Sequence, residues 1–219
     1  MNVNHHPSEA LLLDYVSGTL GETWSLGIAT HLALCPTCRR TTGVLEAIGG
    51  DMLEAIEPAP MTDDATARMM ARLDVNDEPD DAADSAPLRS ESLVLPQPLL
   101  GYLGKDLADL KWQRLGMGAF QLLIQTQEKD VTARLLRIPA GRPVPEHTHR
   151  GLELTLILSG EFSDTTGTYK RGDLQEADDT LEHQPCAGQD EDCICLAITD
   201  APLKFRSLAA RIVQPMLGI

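Results

Sequence analysis

Two architectures are predicted in one chain: an all-α unit over residues 1–75 and an all-β barrel or sandwich over residues 98–219, joined by a tether at 76–97. Three observations predict this. Apolar residues recur at helical spacing through the first 75 positions. Beyond residue 98 they fall in short β-rich runs punctuated by Gly and Pro. Between the two, NDEPDDAADSAPLRSESLVLPQ is acidic and rich in Pro, Ala and Ser, with little to bury, as a solvated tether would be.

Residues 8–17 predict a first short helix, with Ser8 as N-cap, Glu9 in the first turn and Gly18 just past the end. A second is predicted from about 22 to 34, where Trp24, Ile28, His31, Leu32 and Cys35 trace one face. Pro36 ends it and folds the chain so that Cys38 returns toward Cys35. A third is predicted over roughly 41–56, with Val44, Leu45, Ile48, Met52, Leu53 and Ile56 as its apolar stripe and Gly49 and Gly50 marking a kink or a close contact. A fourth covers about 63–73. A core this small supplies only about 3–5 kcal/mol, so a structural metal would decide whether the unit holds its shape. In the second half, strands are predicted over 107–115, 119–126, 132–138, 153–158, 173–177 and 193–199.

Two groups of residues carry metal chemistry. In His31-x3-Cys35-x2-Cys38, the histidine and first cysteine share a helical face and the turn brings the second cysteine back, giving three tetrahedral ligands for zinc. The fourth comes from His5 or His6, between which adjacency gives no choice. A reactive dithiol is disfavoured, because no βαβ pattern surrounds the motif. In the second half, His147 and His149 project from the same side of an extended strand, Glu153 follows four residues later, and His183 is the one histidine left downstream. Such a donor set suits a divalent metal. Cys193 and Cys195 alternate onto one face of their strand. Their Cα atoms, about 6.5–7 Å apart, are near the limit for a disulfide, so they are candidate redox residues whose bridging requires backbone movement. Two small buried hydrophobes are the plainer reading. Cys186 carries no motif.

The formal net charge of −15 excludes direct nucleic-acid binding by phosphate neutralisation and fits a basic protein partner. Five cysteines in two groups point to metal ligation in a reducing compartment. No signal-like or membrane-spanning stretch is seen, and the expectation is a cytoplasmic protein without membrane attachment.

Residues Gly141, His147, His149, Glu153 and Gly160 resemble, position for position, the first cupin motif G-x5-H-x-H-x3-E-x6-G. The second motif is kept only in part: Gly172 and His183 hold its spacing, while Asp178, Thr180 and Ala187 stand in place of Pro, Gly and Asn. The resemblance implies a jelly-roll barrel with a metal (zinc, manganese, iron or nickel) on His147, His149, Glu153 and His183. The front of the chain resembles the zinc-binding anti-sigma domain, in which an N-terminal histidine joins H-x3-C-x2-C, implying His6, His31, Cys35 and Cys38 as its shell. Together HHPSEALLLDYVSGTL, ATHLALCPTC, EHTHRGLELTLILSG and DCICLAITDAPLKF resemble the ChrR family of anti-sigma factors. That resemblance implies an inhibitor that clasps an extracytoplasmic-function-type sigma factor and releases it under singlet oxygen or related oxidative stress, without catalytic turnover. On this reading the apolar stripe Val44, Leu45, Ile48 and Leu53 faces the partner. The competing reading is a metal-dependent cupin dioxygenase or isomerase, which leaves the helical zinc unit unexplained.

Overall fold

A computed structural model describes residues 3–73, 95–116 and 118–206, so most of the predicted tether and the last residues of the barrel section lie outside the described residues. Four helices form the front: α1 (Glu9–Val16), α2 (Glu22–Leu34), α3 (Pro36–Glu54) and α4 (Ala65–Leu73). Ser8 caps α1 through its side chain, which accepts from the Leu11 amide. Pro36 ends α2 as expected, and it also occupies the first turn of α3, which begins earlier than predicted, where its missing N–H is no loss. Cys35 closes α2 and opens α3 at once, its Sγ accepting the Cys38 amide at 3.4 Å. The helix runs on through Gly49 and Gly50 without a close contact; a Cβ at either would meet nothing within 4 Å.

A fifth helix, α5 (Gln97–Leu103), lies where the tether was expected to end. Leu95, Leu99 and Leu100 are buried, so the chain is already in the core three residues before the predicted boundary. The strand expected over 107–115 is mostly absent: Leu107–Asp109 is a 3-10 turn, and only β1 (Gln113–Arg114) is extended. Leu107 and Leu110 stand three residues apart, a spacing that a 3-10 turn places on one side, and both pack against the core.

The barrel then follows as β2 (Phe120–Ile124), β3 (Thr132–Ile138), β4 (His147–Thr148), β5 (Glu153–Ser159), β6 (Glu161–Ser163), β7 (Thr168–Lys170), β8 (Leu174–Ala177), β9 (Glu182–His183), β10 (Cys186–Ala187), β11 (Cys193–Thr199) and β12 (Lys204–Phe205). A six-stranded antiparallel sheet has the order β1-β2-β3-β11-β5-β8; β10-β6-β7 and β12-β4-β9 form two further three-stranded sheets.

Alternation along β5 and β11 places the two halves of the molecule. Leu154, Leu156 and Leu158, with Leu196 and Ile198, share one buried cluster with Leu26 and Ile28 of α2 and Leu99 and Leu100 of α5. The opposite face puts Ile157, Cys193 and Cys195 with Phe162 and Tyr169. The continuous apolar run of β5 is thus explained by burial on both faces. Gly27 lets α2 lie close on the sheet: a Cβ there would stand 2.7 Å from Ile198 Cδ1. Glu128, in the β2–β3 connection, accepts from the Thr23 amide at 2.8 Å, and Glu22 accepts from the Gln127 amide at 2.8 Å. The helices are therefore seated on the barrel, not held away from it by the tether.

Candidate metal centres

The end of α2, the start of α3 and the segment before α1 converge on one point. His31 Nε2 lies 3.3 Å from Cys38 Sγ, and His6 Nδ1 lies 3.4 Å from Cys35 Sγ and 3.3 Å from Cys38 Sγ. Donors about 2.0–2.3 Å from one zinc at tetrahedral angles stand about 3.3–3.8 Å apart, so the four atoms fit that shell. The two leading histidines point in different directions. His6 enters the cluster, whereas His5 turns away and lies tilted against Tyr169, 4.2 Å between centroids. Burial, reinforced by the Cys35 sulfur, pushes the Cys38 thiol up to about 12, and burial lowers His31 to about 4. Without a cation the site holds a neutral imidazole and a protonated Cys38; a bound divalent ion would displace the thiol proton.

The second centre lies in the barrel. His147 and His183 face each other directly in the β4–β9 pairing, and His149 follows at the end of β4. The three Nε2 atoms converge, with His183 3.1 Å from His147 and 3.2 Å from His149. Their outer nitrogens explain why this calls for a cation. His147 Nδ1 donates to the Pro145 carbonyl at 2.8 Å, and His183 Nδ1 donates to Asp164 Oδ2 at 2.6 Å. With the proton held at Nδ1, each ring presents a bare lone pair at Nε2, and facing lone pairs repel unless an ion lies between them. Burial lowers His147 to about 4, keeping it in the neutral, ligating form.

Glu153 stands beside this cluster and not within it. Its carboxylate lies 3.4 Å from His149 Nδ1 and accepts from the Thr155 hydroxyl at 2.9 Å. Burial opposes its charge, yet the nearby His149 and the Thr155 hydroxyl hold it below the usual carboxylate range. Asp164 was not singled out from the sequence: nothing in a turn 19 residues before His183 signals the contact. Burial raises its pKa, but hydrogen bonds from Thr166, Gln175 and His183 prevail and bring it to about 2.

Above the triad opens a cavity of about 1390 Å³, walled largely by apolar side chains, with Arg134 and Gln175 among its polar lining. Arg134 Nη1 donates to Gln121 Oε1 at 3.0 Å deep in the wall. Cys195 reaches the same cavity. Cys193 and Cys195 are buried, unbridged thiols, and the Cys193 sulfur together with burial pushes Cys195 well above the usual thiol range. That weighs against thiolate chemistry there. Cys186, on β10, directs its thiol toward the Gly141 carbonyl and lies outside the three-nitrogen cluster.

The predicted partner stripe divides. Val44, Ile48 and Leu53 are 61%, 52% and 70% exposed, and Met52, Ile56, Met69 and Met70 are exposed with them. Leu45 turns partly inward and packs against the core. Among the described residues, no helix is long and apolar enough to cross a membrane.

Comparison with known proteins agrees with this geometry. Residues 103–201 match the ChrR cupin-like domain. The anti-sigma-E factor ChrR of Cereibacter sphaeroides is 45% identical over 219 residues, covering all of both chains. A crystal structure of Rhodobacter sphaeroides SigE in complex with the anti-sigma ChrR contains a chain that superposes with a TM-score of 0.78 at 43% identity, over 90% of this chain and 99% of that one.

Proposed function

The chain belongs to the ChrR family of anti-sigma factors, and on that premise we propose that it sequesters an extracytoplasmic-function-type sigma factor in the cytoplasm and releases it under singlet oxygen or related oxidative stress. The observation that carries this reading is the match, over 90% of this chain, to a ChrR solved in its complex with SigE. The site supports it: the four-donor cluster ties the front helices together, and α3 and α4 present apolar side chains that nothing among the described residues covers. Helix faces of that kind bury themselves in a partner's grooves. Three of the four α3 positions exposed in this way, Val44, Ile48 and Met52, repeat every fourth residue and so form one side of the helix, and Ile56 follows just past its end.

Zinc is the ion assigned to His6, His31, Cys35 and Cys38, from the tetrahedral spacing and the two sulfurs. His147, His149 and His183 would hold zinc or another divalent ion, with Glu153 completing the shell by swinging from His149 toward the metal. In this reading the barrel is the sensor: the cavity over the triad admits the signal, and the helices respond. The front unit (1–75), the tether (76–97) and the barrel (98–219) are assigned these roles. The test is a purified transcription assay with RNA polymerase and the cognate sigma factor. One equivalent of the zinc-loaded full chain should abolish sigma-dependent transcription, and chain stripped of zinc should not. Undiminished transcription with the loaded chain would refute the proposal.

A further inference from the structure

Resting on the anti-sigma reading, we infer that Asp173 of the barrel is a positioning residue for the helical metal site, and that strand β8 carries the state of the barrel site to it. The proposal starts from an open edge. β8 is the last strand of the six-stranded sheet, and its outer backbone groups have no strand partner there. The N-terminal segment takes that place: the Leu174 amide donates to the His5 carbonyl at 3.1 Å. One residue earlier, Asp173 Oδ1 accepts from the amides of Asn4 at 2.6 Å and His5 at 2.9 Å. The Ser8 amide donates to Glu176 further along. His6 is therefore strapped to β8 on both sides, and its direction into the cluster is set by the barrel.

The same strand touches the other centre. Gln175 donates from Nε2 to Asp164 Oδ2 at 2.8 Å, and that oxygen also receives the His183 proton. Asp173 stands immediately before β8 and Gln175 is the second residue of that strand. Displacing His183 moves Asp164, which releases Gln175 and loosens the strand whose preceding residue pins His6. No contact with the tether is needed. Backbone amides donating to a carboxylate are strong, short bonds, and losing supports of this kind commonly weakens metal retention about 10–100-fold.

Cobalt(II) provides a reading of the helical site alone, because its thiolate-to-metal absorption band arises only where cysteine ligates. The full chain is loaded with cobalt, challenged with EDTA, and the decay of that band is timed; hydrogen exchange over residues 3–8 is measured in parallel. Asp173→Ala should speed both by about tenfold or more, and Asp173→Asn, which keeps one acceptor oxygen, should recover part of the loss. Asp164→Ala should speed exchange over residues 3–8 in a chain with Gln175 and have no such effect in Gln175→Leu. Unchanged band decay and exchange in Asp173→Ala would overturn the positioning role. An Asp164→Ala effect that persists in Gln175→Leu, or is missing altogether, would overturn the transmission through β8. Sigma-factor binding by the unmodified chain is scored separately: failure there removes the anti-sigma reading while the band and exchange results still decide this one.

Discussion

Truncating two exposed side chains on α3, Ile48→Ala with Met52→Ala, should break sigma-factor binding while leaving the fold intact. The side chains are 52% and 68% exposed, so between half and two thirds of each is available to a partner. Burying a whole side chain of this size contributes about 1.5–3 kcal/mol, which leaves about 1–2 kcal/mol for each exposed portion. The pair then accounts for about 2–4 kcal/mol, a Kd weaker by roughly 30- to 1000-fold. Stability should hold or rise slightly, because little core is removed and alanine is the better helix former. Calorimetric titration of the sigma factor with wild type and double variant reads the affinity, and a thermal melt reads the fold. Leu45→Ala is the contrasting control: its side chain packs partly into the core, so it should lower the melting temperature more than the affinity. A double variant that binds within threefold of wild type, with an unchanged melt, would refute the assignment of this face.

Three further outcomes are expected. Cys38→Ser should reduce the metal content by one ion per chain and abolish sigma binding, as read by mass spectrometry under native conditions and by the same titration; retention of both ions would show the cluster is not the holding site. In the metal-free chain, His31 and His147 are held neutral with pKa values lowered to about 4 from 6.5, so the unfolded state binds more protons between those values and stability falls as pH drops from about 6.5 toward 4. The loss is about 3 kcal/mol per histidine at the acid end, and chelated protein melted from pH 7.5 to 4.5 should show it, a flat profile counting against it. Gly160→Ala should destabilise the barrel by about 2–4 kcal/mol, because Gly160 has φ +69° and an added Cβ would stand 2.5 Å from the Asp192 carbonyl oxygen. Chemical unfolding within 1 kcal/mol of wild type would contradict this.

Much of the architecture was legible because it rests on periodicity and on short-range spacing. The helical spacing of α2 places His31 and Cys35 one turn apart, and the C-P-T-C link is too short to take Cys38 elsewhere. His147 and His149 project together because strand side chains alternate. The errors fall where local signals conflict. Pro36 ends α2 as expected, but the third helix was placed from about residue 41, whereas capping by Cys35 starts it at Pro36 itself. Leu95, Leu99 and Leu100 follow an acidic, tether-like stretch, yet α2 and the sheet offer them a buried place. The run from Leu107 was read as a strand because its apolar residues are dense, although their three-residue spacing belongs to a 3-10 turn.

The amino-acid sequence alone determined the helix-then-barrel order, the His31, Cys35 and Cys38 core of the first candidate metal cluster and the paired His147 and His149 of the second, since each depends on residues close enough along the chain for backbone geometry to bring them together. Tertiary structure alone decided that His6 and not His5 turns inward, that Asp164 holds His183, that Glu153 rests against His149, and that the helices sit on the barrel with Asp173 gripping the N-terminal segment. Those contacts join positions up to 169 residues apart. Separations of that length leave no periodic trace, because closing them depends on the packing of whole sheets and helices and not on the preferences of any local stretch.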